Sequence, residues 1–253
     1  LWTGIVFAEE LGQKWGKRII PINHMEGHLF SSIFENTDPL EFPAIALLVS
    51  GGHTELVLVE DFDKFRIIGR TRDDAVGEAF DKVARLLDLP YPGGPKISEL
   101  ADRARERNKK GVFNFPRPMM KTNDFDFSYS GLKTSVLYAI QKLDSINTET
   151  KEDIALGFEE AAIEPLIYKT KKAIEEFGVR TIILGGGVSA NTYLQSELNK
   201  LSNEYGLPLY LPKKDLSTDN AIMIAVAAYI RVTTNRETTP EKIIARGNLS
   251  LEA

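Results

Sequence analysis

Apolar positions along the chain follow two patterns, one typical of helices and the other of buried strands. Helical spacing predicts helices over 4–15, 24–36, 151–177, 189–204 and 219–232. Continuous or alternating apolar runs predict strands at 18–22, 44–50, 55–60, 65–69, 180–184 and 207–211. Residues 76–143 are predicted to form helices separated by two proline-rich turns, at 91–95 and 115–118. Strands that alternate with helices indicate an α/β fold.

The composition narrows the possible chemistry. The 253 residues carry a net charge of -5 and include three histidines but no cysteine. The lack of cysteine excludes thiolate catalysis and Cys-ligated metal sites, so a metal would be held by imidazole and carboxylate groups. The acidic balance argues mildly against a nucleic-acid partner. The sequence has no apolar run of about 18 residues and no signal-peptide pattern, so we expect a cytoplasmic protein.

His24 and His28 lie four residues apart, directly after a predicted strand. On a helix this spacing places both imidazoles on one face, where they can hold one divalent cation. The motif is not the H-E-x-x-H of zinc proteases, because Glu26 lies about 200° around the helix from His24 and should point away from a metal. The alternative is two polar residues that cap the helix or bind water.

Any third ligand would have to come from elsewhere, and Asp219 is one candidate. It lies in a Ser-Thr-Asp-Asn stretch just before a strongly apolar helix. All four residue types are common N-caps, and Asp is favoured at the positive end of a helix. Spacing alone therefore favours a helix cap at Asp219 over a metal ligand.

Two glycine-rich turns are candidate nucleotide sites. The first, at Ser50, Gly51 and Gly52, lies between two predicted strands and could present N–H groups to an anion, although Gly-Gly is also common in plain hairpins. The second, at 185–187, links a strand to a helix N-terminus, where free N–H groups and the helix dipole favour anions. It matches neither G-x-G-x-x-G nor the P-loop, and a β–α turn with Ser189 as N-cap is the alternative.

Asp81 flanks the apolar face of a predicted helix that precedes a Pro-Gly-Gly-Pro turn. One interpretation is a surface ion pair with Arg85, four residues further on, worth a few tenths of a kcal/mol. The other is a carboxylate directed at a ribose hydroxyl.

Residues 103–121 form a basic segment within the acidic chain. Its net charge is +6, from Arg103, Arg105, Arg107, Lys109, Lys110, Arg117 and Lys121 against Glu106. With Phe113 and Phe115 interleaved, the segment could contact a phosphate backbone. A solvated helix face and loop is the alternative.

Eight stretches together resemble the TsaD family of tRNA threonylcarbamoyladenosine synthases, also called glycoprotease-like (Gcp/YgjD). They run in the family's order from about Asn23 to Ala225: NHMEGH, LLVSGGHTEL, DDAVGEAFDKVARLL, YPGGP, FPRPM, DFSYSGLKTS, GGGVSANTYL and STDNAIMIA. The resemblance implies a two-lobed actin/Hsp70/sugar-kinase-like (ASKHA) fold. It also implies transfer of a threonylcarbamoyl group from threonylcarbamoyl-AMP to the adenosine beside the anticodon, in tRNAs that read codons starting with A.

The resemblance further implies a set of site residues, although it identifies no catalytic residue. The metal ligands would be His24, His28 and Asp219, which bind one Fe2+ or Zn2+ per subunit. Substrate contacts would come from Leu48, Val49, Ser50, Gly51, Gly52, Asp81, Gly94 and Asn191, at a site that ATP or AMP can also occupy. Ser98 stands where some family members carry an acidic residue, which leaves one ribose contact open.

By the same resemblance the first lobe is incomplete. Residues 1–49 would be the remnant of an N-terminal lobe that carries the His pair, and 50–253 a C-terminal lobe with a helical insertion at about 76–143. Because the chain opens at Leu1 inside a predicted helix, we expect the family's N-terminal stretch, with its acidic phosphate loop, to be missing.

The implied partners are tRNA, TsaB- and TsaE-like proteins, and a TsaC-like enzyme that supplies threonylcarbamoyl-AMP, with no membrane. The implied reaction is an acyl transfer without a covalent enzyme intermediate, in which the substrate's own amine is the nucleophile. Two alternatives remain open, an ATP-dependent small-molecule kinase of the same superfold and a non-catalytic nucleotide-binding scaffold subunit.

Overall fold

A computed structural model describes residues 2–34, 36, 40–107, 112–234, 243–246 and 249–251. One five-stranded sheet organises them, with the strand order β3-β2-β1-β4-β5. The strands are β1 (Ala44–Val49), β2 (Thr54–Asp61), β3 (Lys64–Arg70), β4 (Thr181–Gly185) and β5 (Leu209–Tyr210). β1 pairs antiparallel with β2 and parallel with β4, which makes it the central strand.

The helices are α1 (Trp2–Trp15), α2 (His24–Ser31), α3 (Val76–Leu86), α4 (Gly93–Glu106), α5 (Ser130–Gln141), α6 (Thr148–Phe177), α7 (Thr192–Tyr205) and α8 (Ala221–Thr233). Short 3-10 turns occupy Gly187–Ala190 and Lys214–Leu216. Within the described residues, no helix combines the length and apolar character that a membrane crossing needs.

Helices cover both faces of the sheet, and β1 explains why. Its residues alternate between two cores: Ile45, Leu47 and Val49 pack with α3 to α7, while Ala44, Ala46 and Leu48 pack with α2 and α8. Because β1 is buried on both faces, its sequence is a continuous apolar run, which is the pattern that predicted this strand.

Most of the predicted elements are confirmed, but several differ in type or extent. Residues 93–95 of the turn predicted at 91–95 begin α4, and the helix predicted from 189 begins at Thr192, with Asn191 rather than Ser189 as its N-cap. Residues 18–22 form no strand, because Pro21 lacks the N–H that a ladder needs, and α2 ends at Ser31 rather than 36. The buried Ser32 hydroxyl donates there to the Leu184 carbonyl. The last predicted strand is reduced to two residues, β5.

The proposed lobe boundary between residues 49 and 50 falls within the sheet. β1 lies before this boundary and β2 lies after it, and the two strands pair with each other at six positions. α1 carries no buried side chain among its described residues, and Trp2, Phe7 and Trp15 are exposed. The division of the chain at residue 49 stays a prediction.

Candidate active site

The candidate site lies at the carboxyl ends of β1 and β4, two parallel neighbours. In open α/β sheets, ligands bind in the crevice at this edge. Each of the two strands runs directly into one of the glycine turns singled out in the sequence, Ser50–Gly52 after β1 and Gly186–Gly187 after β4. The sheet therefore brings together turns that are about 135 residues apart in the sequence.

The turn after β4 needs glycine because other backbone approaches it closely. A Cβ on Gly185 would lie 2.6 Å from the carbonyl oxygen of His28. Gly186 has a φ of +88°, in the left-handed region, and its Cα faces the Val49 carbonyl. Any larger residue would push this turn away from α2 and from the end of β1.

The turn after β1 is a tight hairpin held by Ser50. The Ser50 amide donates to the His53 carbonyl across 2.8 Å. The Ser50 hydroxyl accepts hydrogen bonds from the amides of Gly52, at 3.3 Å, and His53, at 3.0 Å. Gly51 and Gly52 are exposed, while Leu48 and Val49 are fully buried. A ligand at this loop would therefore meet its backbone rather than the Leu and Val side chains.

His24, His28 and Asp219 form one cluster. Asp219 Oδ1 lies 3.4 Å from His24 Nε2 and 3.2 Å from His28 Nε2. All three candidate ligand atoms lie within 4.8 Å of one another. Tetrahedral zinc ligands about 2.1 Å from the ion are about 3.4 Å apart, so the two contacts match the edges of such a site. The helix N-cap is Asn220, which leaves the Asp219 carboxylate free to face the histidines.

The two histidines differ in their surroundings. His28 is 2% exposed, whereas 49% of the His24 side chain is exposed. Burial and the neighbouring His24 lower the pKa of His28, against an opposing effect of Asp219. A lowered pKa keeps the imidazole neutral, which is the state that binds a metal. Burial and His24 also lower the pKa of His53, which places the third histidine within electrostatic reach of the cluster.

Glu26 takes no part in this cluster, as its spacing predicted. Its carboxylate forms an ion pair with Arg231 of α8 instead, at 2.6 Å. Glu26 is therefore not placed to act as the general base, which is the role of the motif glutamate in zinc proteases.

Asp81, Gly94 and Asn191 come together around the first two turns of α4. Asp81 Oδ1 accepts a hydrogen bond of 2.7 Å from the amide of Gly93, the first residue of α4. One turn further on, the Ser98 hydroxyl donates to the Gly94 carbonyl at 3.2 Å and accepts from the Asn191 amide at 2.8 Å. Asp81 thus fixes the start of α4, and Asn191 is hydrogen-bonded to Ser98 one turn further along the same helix.

Sequence reasoning missed Glu159 of α6, whose buried side chain is hydrogen-bonded to Asn191. Glu159 is fully buried, and its Oε1 accepts a 2.7 Å hydrogen bond from Asn191 Nδ2. Its other oxygen pairs with Arg105, whose guanidinium stacks 4.1 Å from the centre of the Tyr193 ring. The signal was a pair of adjacent glutamates, Glu159 and Glu160, inside a mainly apolar stretch of α6. A fully buried carboxylate needs a partner.

The basic segment carries less free charge than its sequence suggests. Four of its arginines form ion pairs: Arg103 with Glu99, Arg105 with Glu159, Arg107 with Glu152 and Arg117 with Glu164. Three of these carboxylates belong to α6. The pairs favour a role in attaching the segment to α6 over contact with a phosphate backbone. Lys109 and Lys110 lie outside the described residues.

Comparisons with known proteins show which family and which fold the chain resembles. The family model for TsaD, tRNA N6-adenosine threonylcarbamoyltransferase, matches residues 1–226. A tRNA N6-adenosine threonylcarbamoyltransferase of Thermosipho africanus is 50% identical over 230 residues, which are 90% of this chain and 68% of that protein. The Kosmotoga olearia protein of the same name is 46% identical over 90% of this chain and 67% of its own length.

Solved structures resemble the fold alone. HypF of T. kodakarensis matches 91% of this chain and 39% of its own, with a TM-score of 0.67 and 15% identity. Full-length HypF in a phosphate- and nucleotide-bound form matches 86% of this chain and 36% of its own, with a TM-score of 0.65 and 13% identity. These likenesses confirm the expected α/β class and an incomplete two-lobed ASKHA fold.

Proposed function

Because the chain belongs to the TsaD family of tRNA N6-adenosine threonylcarbamoyltransferases, a family of acyltransferases, we propose that the edge of its sheet carries a metal and a threonylcarbamoyl-AMP site. The observation that carries the proposal is the convergence of His24, His28 and Asp219 next to the glycine turn after β4, where Gly185 lies against the His28 carbonyl. His24 also lies within electrostatic reach of His53, which closes the Ser50 turn. Two imidazoles and one carboxylate suit Fe2+ or Zn2+ and leave positions open for a substrate oxygen.

The donor set fits a resident ion of this kind. The ligand atoms are close enough for one ion to contact all three, and burial lowers the pKa of His28, which favours the neutral imidazole. When bound, such an ion supplies Lewis acidity to a carbonyl oxygen. The chain's own contribution is to hold the three ligands near the Ser50 turn, where the backbone N–H group of the exposed Gly51 can face negative charge.

We assign the nucleotide part of threonylcarbamoyl-AMP to the region around the start of α4. The residues there are Asp81, Gly94 and Asn191, with Ser98 between them. Hydrogen-bonded carboxylate, hydroxyl and amide groups of this kind suit ribose hydroxyls and an adenine edge. ATP or AMP would occupy the same place.

The proposed reaction forms one bond and breaks another. The N6 amine of the tRNA adenosine attacks the threonylcarbamoyl carbonyl carbon, and a C–N bond forms. The bond between that carbon and the phosphate oxygen breaks, AMP leaves, and the amine loses a proton. We further propose a cytoplasmic setting, threonylcarbamoyl-AMP supplied by a TsaC-like enzyme, and TsaB- and TsaE-like partner proteins.

The test combines metal content with transfer activity. The chain is incubated with tRNA, threonylcarbamoyl-AMP and the partner proteins, and modified adenosine is measured after digestion to nucleosides. H28A and D219N should lose both bound metal and product, whereas the control D215N, at an exposed aspartate four residues earlier, should keep both. Full metal content and activity in H28A would refute the proposal. ATP-dependent phosphorylation of a small alcohol, without modified adenosine, would favour the kinase alternative.

A further inference from the structure

Two ligands of the proposed metal site lie on α2 and the third lies just before α8, so the relative position of these helices sets the geometry of the site. His24 and His28 lie on α2. Asp219 lies one residue before Asn220, which caps α8 and also donates to the Thr218 carbonyl at 2.8 Å. Asp219 is therefore tied to α8 and moves with it.

α2 and α8 approach closely at Gly27. A Cβ at this position would lie 3.1 Å from both Met223 Cγ and Ile224 Cδ1 of α8. This contact is near the start of α8, close to Asp219. Apolar packing of this kind sets the distance between two helices, while each dispersion contact is individually weak.

Arg231 makes a directional contact between the two helices. It lies eight residues after Met223, a spacing that places both residues on the same side of α8. Its guanidinium donates to both carboxylate oxygens of Glu26, with distances of 2.8 and 2.6 Å. Its third contact, at 3.1 Å, is with the carbonyl of Pro21, in the loop that leads into α2. Glu26 is only 3% exposed, so water does not compete well for the pair. A two-pronged Arg–carboxylate contact fixes orientation as well as distance.

We propose that Glu26 and Arg231 are positioning residues that hold His24 and His28 at metal-binding distance from Asp219. Glu26 lies between the two histidines in sequence but uses its carboxylate to fix α2 against α8. The inference deepens the proposed function and rests on its metal site. In this proposal Glu26 has a structural role at the metal site and does not act as a general base.

The test measures metal binding in the absence of substrate. Co2+ is titrated into the metal-free chain and followed by visible absorption, for the wild type, E26Q, R231K and H28A. Gln keeps the shape of Glu26 without its charge, and Lys keeps the charge of Arg231 without its fork. The matched control is R117K, which alters another two-pronged Arg–Glu pair, with Glu164, away from the site.

We expect E26Q and R231K to weaken Co2+ binding by about 10–100-fold, the range typical of residues that orient metal ligands. H28A should abolish binding, and R117K should leave it unchanged. Chemical denaturation of each metal-free variant shows whether it still unfolds cooperatively, and a folded variant with weakened Co2+ binding supports the positioning role.

Two results would overturn the positioning role while leaving the metal site in place. One is unchanged Co2+ affinity in folded E26Q and R231K. The other is loss of cooperative unfolding in both variants while R117K keeps its transition, because the pair would then be needed only for folding. If the wild type shows no Co2+ binding that H28A removes, the metal site itself fails and this proposal falls with it.

Discussion

The side-chain amide of Asn191 donates a 2.7 Å hydrogen bond to the fully buried carboxylate of Glu159. The oxygen of the same amide caps α7 by accepting from the Leu194 amide at 2.8 Å. Asn191 is thereby held at both ends, and its remaining contact is with Ser98. The residue that we assign to the nucleotide is thus oriented by a carboxylate that is itself fully buried.

We expect E159Q to reduce both stability and AMP affinity. Asn191 and Arg105 both donate N–H groups to the Glu159 carboxylate. The NH2 group of a glutamine would face one of these donors, so one buried hydrogen bond is lost at a cost of about 1–3 kcal/mol. Denaturant unfolding and AMP titration measure the two effects. E176Q, at an exposed glutamate of the same helix, is the control and should change neither. Unaltered AMP affinity in E159Q would mean that Glu159 does not orient Asn191.

Much of the fold follows from local patterns, as β1 and α6 illustrate. The apolar run of β1 and the helical spacing of α6 locate both elements within a few residues. The resemblance of whole motifs supplied Asp219, whose spacing alone favoured a helix cap. Geometry now places it beside the two histidines.

Long-range polar pairs could not be predicted in this way. Glu26 and Arg231 are 205 residues apart, and no periodicity relates them. The basic segment shows the same limit, since the α6 carboxylates that pair with Arg107 and Arg117 lie 45 and 47 residues further on. Local sequence gives the charge of such residues, but only the fold determines which charges meet.

A second prediction concerns Lys169, which is fully buried in α6. Its ammonium donates to Asp124 Oδ1 at 3.1 Å and to the Thr122 hydroxyl at 3.0 Å. Hydrogen bonds from Thr122 and Lys169 lower the pKa of Asp124 from 3.8 to about 2. The stability that Asp124 contributes is therefore fully present above pH 3.8 and is lost as the pH falls toward 2.

D124N should accordingly be less stable at neutral pH and less sensitive to acid. Because 38% of the Asp124 side chain is exposed, solvent weakens the pair and we expect a loss of about 1 kcal/mol at pH 7. Urea unfolding at several pH values checks this, with D144N, at an exposed aspartate, as the control. An acid dependence in D124N as steep as in the wild type would contradict the assigned pKa.

A third prediction uses Gly77, in the first turn of α3. Its amide donates to the Ser50 carbonyl at 3.2 Å, and a Cβ there would lie 2.6 Å from the same oxygen. G77A should therefore displace the Ser50 turn, with a stability loss of about 1–3 kcal/mol from overpacking. Misplaced groups at a reacting centre can cost about 100-fold in rate, so we expect threonylcarbamoyl transfer to suffer more than folding.

G131A is the matched control for that variant. Gly131 lies in the first turn of α5, and a Cβ there meets nothing within 4 Å. Ala is favoured over Gly in helices by about 1 kcal/mol, so G131A should be neutral or slightly stabilising. Transfer kinetics of both variants with the same tRNA make the comparison, and equal activities in G77A and G131A would show that the Ser50 turn tolerates displacement.

The fourth prediction concerns Thr54, which connects β2 to the start of α3. The Thr54 side chain is 1% exposed, and its hydroxyl accepts a 2.8 Å hydrogen bond from the Val76 amide. The N-cap of α3, Ala75, has no side-chain oxygen that could accept this hydrogen bond.

T54V keeps the shape of the Thr54 side chain but leaves a buried N–H unpaired, so we expect it to destabilise the chain by about 1–3 kcal/mol. T54S, which retains the hydroxyl, should stay close to the wild type. Hydrogen exchange of the Val76 amide measures the bond directly, and equal protection in T54V and the wild type would show that Thr54 does not hold the start of α3 against β2.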